Sequence, residues 1–98
     1  MKIKATGASE ITVTGHIKSI EDYQEIKFAV RNLIDKGKDA VSIKIPDSLS
    51  MTSSVIGFLL KLIFVDKVKI SMCVKDERLF SLLDVLNLIT VFNVTKMT

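Results

Sequence analysis

Apolar and polar residues alternate at two places near the start of the chain, Ile3 and Ala5 within residues 2–6, then Ile11 and Val13 within residues 10–14. Period-two alternation puts every second side chain on one face of an extended chain, so two short strands are predicted, joined in a hairpin by Gly7-Ala8-Ser9. Gly15-His16 ends the second run, although Ile17 would continue its alternation. The period then changes. Ile20, Tyr23, Ile26, Val30, Leu33 and Ile34 recur at helical spacing, while Glu21, Gln24, Lys27, Arg31 and Asp35 fall mainly outside that stripe, as in a helix with one buried side. Ser19 with Asp22 has the spacing of a capping box with a shorter carboxylate, and Gly37 is a natural C-terminal stop.

Residues 40–45 alternate again through Val41, Ile43 and Ile45, and Pro46 ends that strand because it has no N–H to give a ladder. Residues 53–65, SSVIGFLLKLIFV, suit a buried helix capped by Ser53 or a neighbour, with Gly57 allowing another backbone to come close. Asp66-Lys67 closes it. Residues 69–74 alternate through Ile70, Met72 and Val74, and a helical period returns at Leu79, Leu82, Leu83 and Leu86 after Asp76-Glu77. A last strand is expected over residues 91–95. The order ββαβαβαβ predicts an α/β fold, a single-layer mixed β-sheet backed by helices, whose crossovers are right-handed and make parallel strand pairs beside the antiparallel hairpin. No internal repeat divides it, so residues 1–98 read as one domain.

Composition narrows the reading. Half the chain is hydrophobic (48%), which excludes disorder, and 98 residues hold one core. The net charge of +3 is too small to demand a nucleic acid or an anionic membrane. The lysines are scattered, and Phe58, Phe64, Phe80 and Phe92 sit in apolar runs that assign them to the core, so no direct nucleic-acid partner is expected. Cys73 is the one cysteine and cannot form an internal disulfide, which fits a reducing compartment and a cytoplasmic location. MKIKATGASE has no continuous apolar region, and the longest charge-free stretch, residues 48–60, stops at Lys61; neither a signal peptide nor a membrane span is expected.

The same residues argue against an enzyme. His16 is the only histidine, so His16 and Cys73 cannot make a multi-His/Cys metal site; a surface turn and strand packing are their expected roles. Gly7, Gly15, Gly37 and Gly57 are too far apart for a dinucleotide or phosphate loop, and no cofactor is expected. A hydroxyl or carboxylate enzyme would need Asp47, Thr52 or Ser53 to converge on a pocket. The polar cluster PDSLSMTSS, with Asp47, Ser48, Ser50, Thr52, Ser53 and Ser54 just before an apolar helix, is either a cap or a switch.

Read with the preceding ββαβ order, MTSSVIGFLLKL resembles the STAS domain of bacterial anti-sigma-factor antagonists and sulfate transporters, and the similarity covers nearly the whole chain. Met51, Ser53, Ser54, Ile56 and Gly57 fit the family's hydrophobic-Asp-Ser-Ser/Thr-Gly-hydrophobic-Gly segment. Thr52 stands where aspartate is usual, Val55 replaces the first glycine, and Lys44 falls near another position often held by Asp.

The resemblance implies a small regulatory protein-interaction domain, an antagonist-like signalling protein acting in transcription regulation. Its partner would be a protein kinase that is also an anti-sigma factor, or another bacterial signalling protein. In phosphorylatable members the hydroxyl after the aspartate receives phosphate, which weakens docking by adding charge to the surface. That position is Ser53, with Ser54 the alternative if the alignment shifts by one. The implied interaction surface is Met51, Thr52, Ser53, Ser54, Ile56, Gly57 and Lys61. Without a carboxylate at Thr52, the alternative is a phosphorylation-independent STAS-like adaptor or a dimerisation protein, the partner then being a second copy in a homodimer. Docking also has a physical motive, since Val55, Ile56, Phe58, Leu59, Leu60, Leu62, Ile63 and Phe64 surround most of the second helix, more apolar surface than one buried face needs.

Overall fold

The alternating runs assemble into one sheet in the computed structural model, which describes residues 1–97; the expected domain limit, Thr98, lies outside them. Strands β1 (Lys2–Gly7) and β2 (Glu10–Thr14) form the hairpin, antiparallel from Lys2 opposite Thr14 to Gly7 opposite Glu10, with an irregularity between Ala5 and Gly7. Strands β3 (Ala40–Ile45), β4 (Lys69–Val74) and β5 (Val94–Lys96) add in parallel, giving the spatial order β1-β2-β3-β4-β5. Helices α1 (Ile20–Asp35), α2 (Ser53–Phe64) and α3 (Glu77–Val85) fill the crossovers. The result is the expected small α/β domain, a mixed five-stranded sheet backed by three helices in the order ββαβαβαβ.

Burial shows which face the helices cover. Ile11 and Val13 of β2, Val41, Ile43 and Ile45 of β3, and Ile70, Met72 and Val74 of β4 are all buried, while Ser42, Lys44, Lys69 and Ser71 between them are not. Against them lie Ile26, Val30 and Leu33 of α1, Val55, Phe58, Leu59 and Leu62 of α2, and Leu79 and Leu83 of α3. The other face of the sheet stays polar. There Lys44 Nζ lies 3.7 Å from the Glu10 carboxylate, and the Thr6 and Thr12 hydroxyls share a 3.0 Å hydrogen bond.

Caps set the helix limits. Ser19 and Asp22 form the expected capping box: the Ser19 hydroxyl accepts from the Asp22 N–H, and the Asp22 carboxylate accepts from the N–H groups of Lys18 and Ser19. Those amides, Lys18 first, hold the Asp22 carboxyl below its ordinary value. Gly37, at φ +90°, closes α1: its N–H reaches the Ile34 carbonyl, and the Lys38 N–H reaches that of Leu33. Asn87, at φ +60°, does the same for α3, with Leu88 N–H bonded to the Leu83 carbonyl at 2.8 Å.

That second closure explains where the expected last strand departs from the structure. Residues 86–93 form turns, not an extended chain, and β5 starts only at Val94. Asn87 and Asn93 take left-handed backbone conformations there while Leu88 and Phe92 are buried. Other apolar positions also miss the core, Leu86 and Val65 among them. Ile20 projects outward, and Phe64 is 59% exposed, although Phe58 and Phe92 are buried and Phe80 is partly so.

At the start of α3 the Asp76 carboxylate accepts from the Arg78 N–H at 2.8 Å and from its guanidinium at 2.9 and 3.1 Å. The Arg78 side chain, then its amide, lower the Asp76 pKa to about 2. Because the folded value lies below the unfolded one, this cap contributes fully above about pH 4 and is lost as pH falls through about 2. A carboxyl NMR titration should place the Asp76 midpoint near 2, and Arg78→Ala should raise it toward the ordinary carboxylate value.

Candidate functional site

The loop from β3 into α2 is held from beneath. The Asp47 carboxylate accepts the Gly15 N–H at 2.9 Å, while the fully buried Ser48 hydroxyl accepts the Ile17 N–H at 3.0 Å and donates to the Ser50 carbonyl at 2.7 Å. Each bond fastens this loop to the β2–α1 connection or to itself. Met51 fills the core beside them. Thr52 is the N-cap, its hydroxyl accepting the Val55 N–H at 3.3 Å. Asp47, Ser48 and Thr52 are therefore committed to structure. Ser53 and Ser54, in the first turn of α2, are exposed and carry no capping duty.

Helical spacing then gathers a second set of groups. Ser54, Gly57, Phe58 and Lys61 follow one ridge of α2, and Tyr23, Lys27 and Arg31 follow one ridge of α1, where the two helices pack side by side. Between them lies an open cleft of about 330 Å³. Tyr23 and Phe58 form its aromatic part, edge to face with centroids 6.3 Å apart. Lys27 Nζ stands 5.9 Å from the Tyr23 ring centre, and the Arg31 guanidinium stands 5.8 Å from that of Phe58. Three cations thus border one small concavity, with Asp66, 3.6 Å from Arg31, as an acidic neighbour. On the outer side of α2, half-buried Ile56 and Leu60 lead to exposed Phe64 at four-residue intervals. An acidic group entering the cleft and an apolar group lying along that strip would meet complementary surface at both places.

Of the residues assigned to the interaction surface, Ser53, Ser54, Gly57 and Lys61 are exposed and Thr52 and Ile56 half-buried. Met51 is not part of the surface: an apolar side chain just before a helix has been drawn into the core. Lys44 also differs from expectation. It projects from the sheet face opposite the helices and pairs with Glu10, so its charge is not directed at the start of α2. Gly57 admits no close backbone, since a Cβ there would meet nothing within 4 Å.

Among the described residues, none of the main clefts is lined by Asp47, Thr52 and Ser53 together. Asp47 instead borders a shallow depression with Lys75, Asp76, Glu77 and Arg78. His16 is exposed and Cys73 half-buried, and among the described residues no group of three His, Cys, Asp or Glu side chains is placed to hold a metal. No helix among them is long and apolar enough to cross a membrane. Sequence reading did not find Tyr23, Lys27 and Arg31. Their four-residue spacing was visible, but only the packing of α1 beside α2 gives it meaning.

Comparison with protein-family models, curated proteins and solved structures finds no match to the chain. The site is therefore read from its own geometry.

Ser48→Ala leaves the buried Ile17 N–H without its acceptor and should lower stability by about 1–3 kcal/mol in denaturant unfolding. Gly57→Ala should do the reverse. Its Cβ enters open space in a helix interior, so stability should rise by about 1 kcal/mol, provided the melts are compared under identical conditions.

Proposed function

We propose that this chain is a small regulatory protein-interaction domain of the STAS-like kind, binding its partner through the first turn of α2 and the α1–α2 surface. One observation carries the reading. Two exposed hydroxyls without a capping duty stand in the first turn of α2, Ser54 at the border of a cleft ringed by three cations, and half-buried Ile56 and Leu60 lead along the same helix to exposed Phe64. The partner it fits presents carboxylates to Lys27, Arg31 and Lys61 and apolar groups to Ile56, Leu60 and Phe64. A protein kinase that doubles as an anti-sigma factor is the partner suggested by the resemblance of MTSSVIGFLLKL to the antagonist family.

Phosphate at Ser53 would act on this surface through charge. At the start of α2 it would be stabilised by the helix dipole, and its charge would repel an acidic partner docking on this helix. Ser54, which borders the cleft itself, is the alternative acceptor. The protein receives phosphate in this scheme and transfers none, in keeping with a binding protein and not an enzyme. A second reading, a phosphorylation-independent adaptor, is favoured by Thr52, whose hydroxyl caps α2 and supplies no carboxylate beside Ser53.

Incubation with the candidate kinase and ATP, followed by phosphosite mass spectrometry, should locate phosphate on Ser53. Ser53→Ala should bind yet resist inhibition by ATP, and Lys27→Glu should weaken binding roughly tenfold, more at low salt than at high. Stable capture with no modified serine would select the adaptor. Binding unaffected by Lys27→Glu would overturn the assigned surface.

A further inference from the structure

On the far side of α1 from that cleft, the sheet ends in an edge with a groove above it. β1 is the outermost strand, and among the described residues nothing pairs with its outer side. Its helix-side residues Ile3 and Ala5 form the floor of an open groove of about 880 Å³, and α1 forms the wall. Phe28 borders it with 70% of its surface exposed, an aromatic side chain that no packing within the domain accounts for.

The groove side of α1 has an ordered charge pattern. Glu21, Glu25, Phe28, Asn32 and Lys36 follow one another along it at three- and four-residue intervals. Acids occupy the first half, an aromatic the middle, an amide and a base the end. Such a ridge is complementary to itself in reverse. After a half-turn about an axis beside Phe28, Glu21 meets Lys36, Glu25 meets Asn32, and the two Phe28 rings meet each other. A parallel copy would set acid against acid.

Sheet spacing gives the same arrangement independently. α1 lies over β1 and β2, and neighbouring strands are about 4.8 Å apart, so a second copy whose β1 pairs with this β1 would bring its α1 two spacings away, about 9.6 Å. Packed helices sit about 8–10 Å apart.

We infer that the β1–α1 edge binds a second copy of this chain about a two-fold axis perpendicular to the sheet. The two β1 strands pair antiparallel, and the two grooves close into one apolar layer beneath the paired α1 helices. Lys4 lies between Ile3 and Ala5 and so points to the open face, away from this layer, and Lys2 stands at the end of the groove. Placing Ala5 opposite Ala5 sets the two Lys4 side chains on either side of the axis and keeps the like charges from facing one another.

Sedimentation velocity across a concentration series tests this on the full chain. The unaltered protein should pass reversibly from monomer to dimer, and Phe28→Asp should stay monomeric with an unchanged circular dichroism spectrum. Glu21→Lys and Lys36→Glu, each disturbing a contact made twice, should each weaken the dimer by about tenfold, and the double exchange should restore it. The charge exchange uses exposed positions only, so it decides the matter even if Phe28→Asp folds poorly. A monomer at every concentration, a dimer that survives Phe28→Asp in folded form, or a double exchange no better than the single ones would overturn the inference. Lys27→Glu, on the opposite ridge of α1, should leave dimerisation unchanged, which separates this interface from the partner-binding surface.

Discussion

Parallel β2, β3, β4 and β5 follow one another across the sheet in chain order, and their crossover helices all cover the same face. Crossovers of one hand between successive neighbours have no other arrangement, because changing faces would require the strand order to reverse. Nearly everything else follows from this one-sidedness. The strands need apolar residues on one side only, so they alternate, and the helices must form a single layer in which α1 abuts α2. The concave places are then fixed in advance: the seam between adjacent helices, and the margin where the helix layer stops short of the outermost strand.

A layer of this kind needs its connections held at the ends of the strands, and buried Ser48 does so with two hydrogen bonds. By accepting from Ile17 and donating to Ser50 it joins the approach to α1 with the approach to α2. Asp47 adds a bond to Gly15. The first turn of α2 is thereby fixed relative to α1, which is why Ser54 and Lys61 stand opposite Lys27 and Arg31 in one cleft. Thr52 takes over the capping, and that leaves the two serines after it to solvent. In a polar cluster of this composition the positions that look alike in sequence have separated into anchors and exposed groups, according to whether a backbone amide lies within reach.

What could be read from the sequence was whatever depends on local period. The strands β2, β3 and β4, the helix α1 with its Ser19–Asp22 box and Gly37 stop, and the order of elements all come from spacing along the chain. The run VLNLITVF has no alternation to read, and its turns depend on Asn87 and Asn93 entering a conformation that composition only permits. Phe64 sits in an apolar run that by itself points to the core, yet an apolar run winds around a helix and must put some members outside. Phe28 is the converse case, one aromatic among polar neighbours, whose position over the groove appears only when β1 is seen to lie at the edge. Lys44 shows the limit of aligning charges by position, since β-strand alternation turned it to the other face. The cleft itself draws on two helices separated by a strand, and no single stretch of sequence contains it.

The two ridges of α1 divide the charge of the helix between different surfaces. Tyr23, Lys27 and Arg31 turn toward α2 and make a basic margin there, while Glu21, Glu25 and Lys36 turn toward the sheet edge. Had the acids been mixed into the first ridge, they would have neutralised the cleft; gathered on the second with a terminal base, they make a surface that fits its own image. A two-fold axis perpendicular to the sheet keeps both helix layers on one side, so two clefts would face the same direction from one continuous sheet. A partner with two suitably spaced acidic segments then gains from effective concentration as well as from each contact, and negative charge added beside one cleft would weaken the pair more than its share of the contacts suggests.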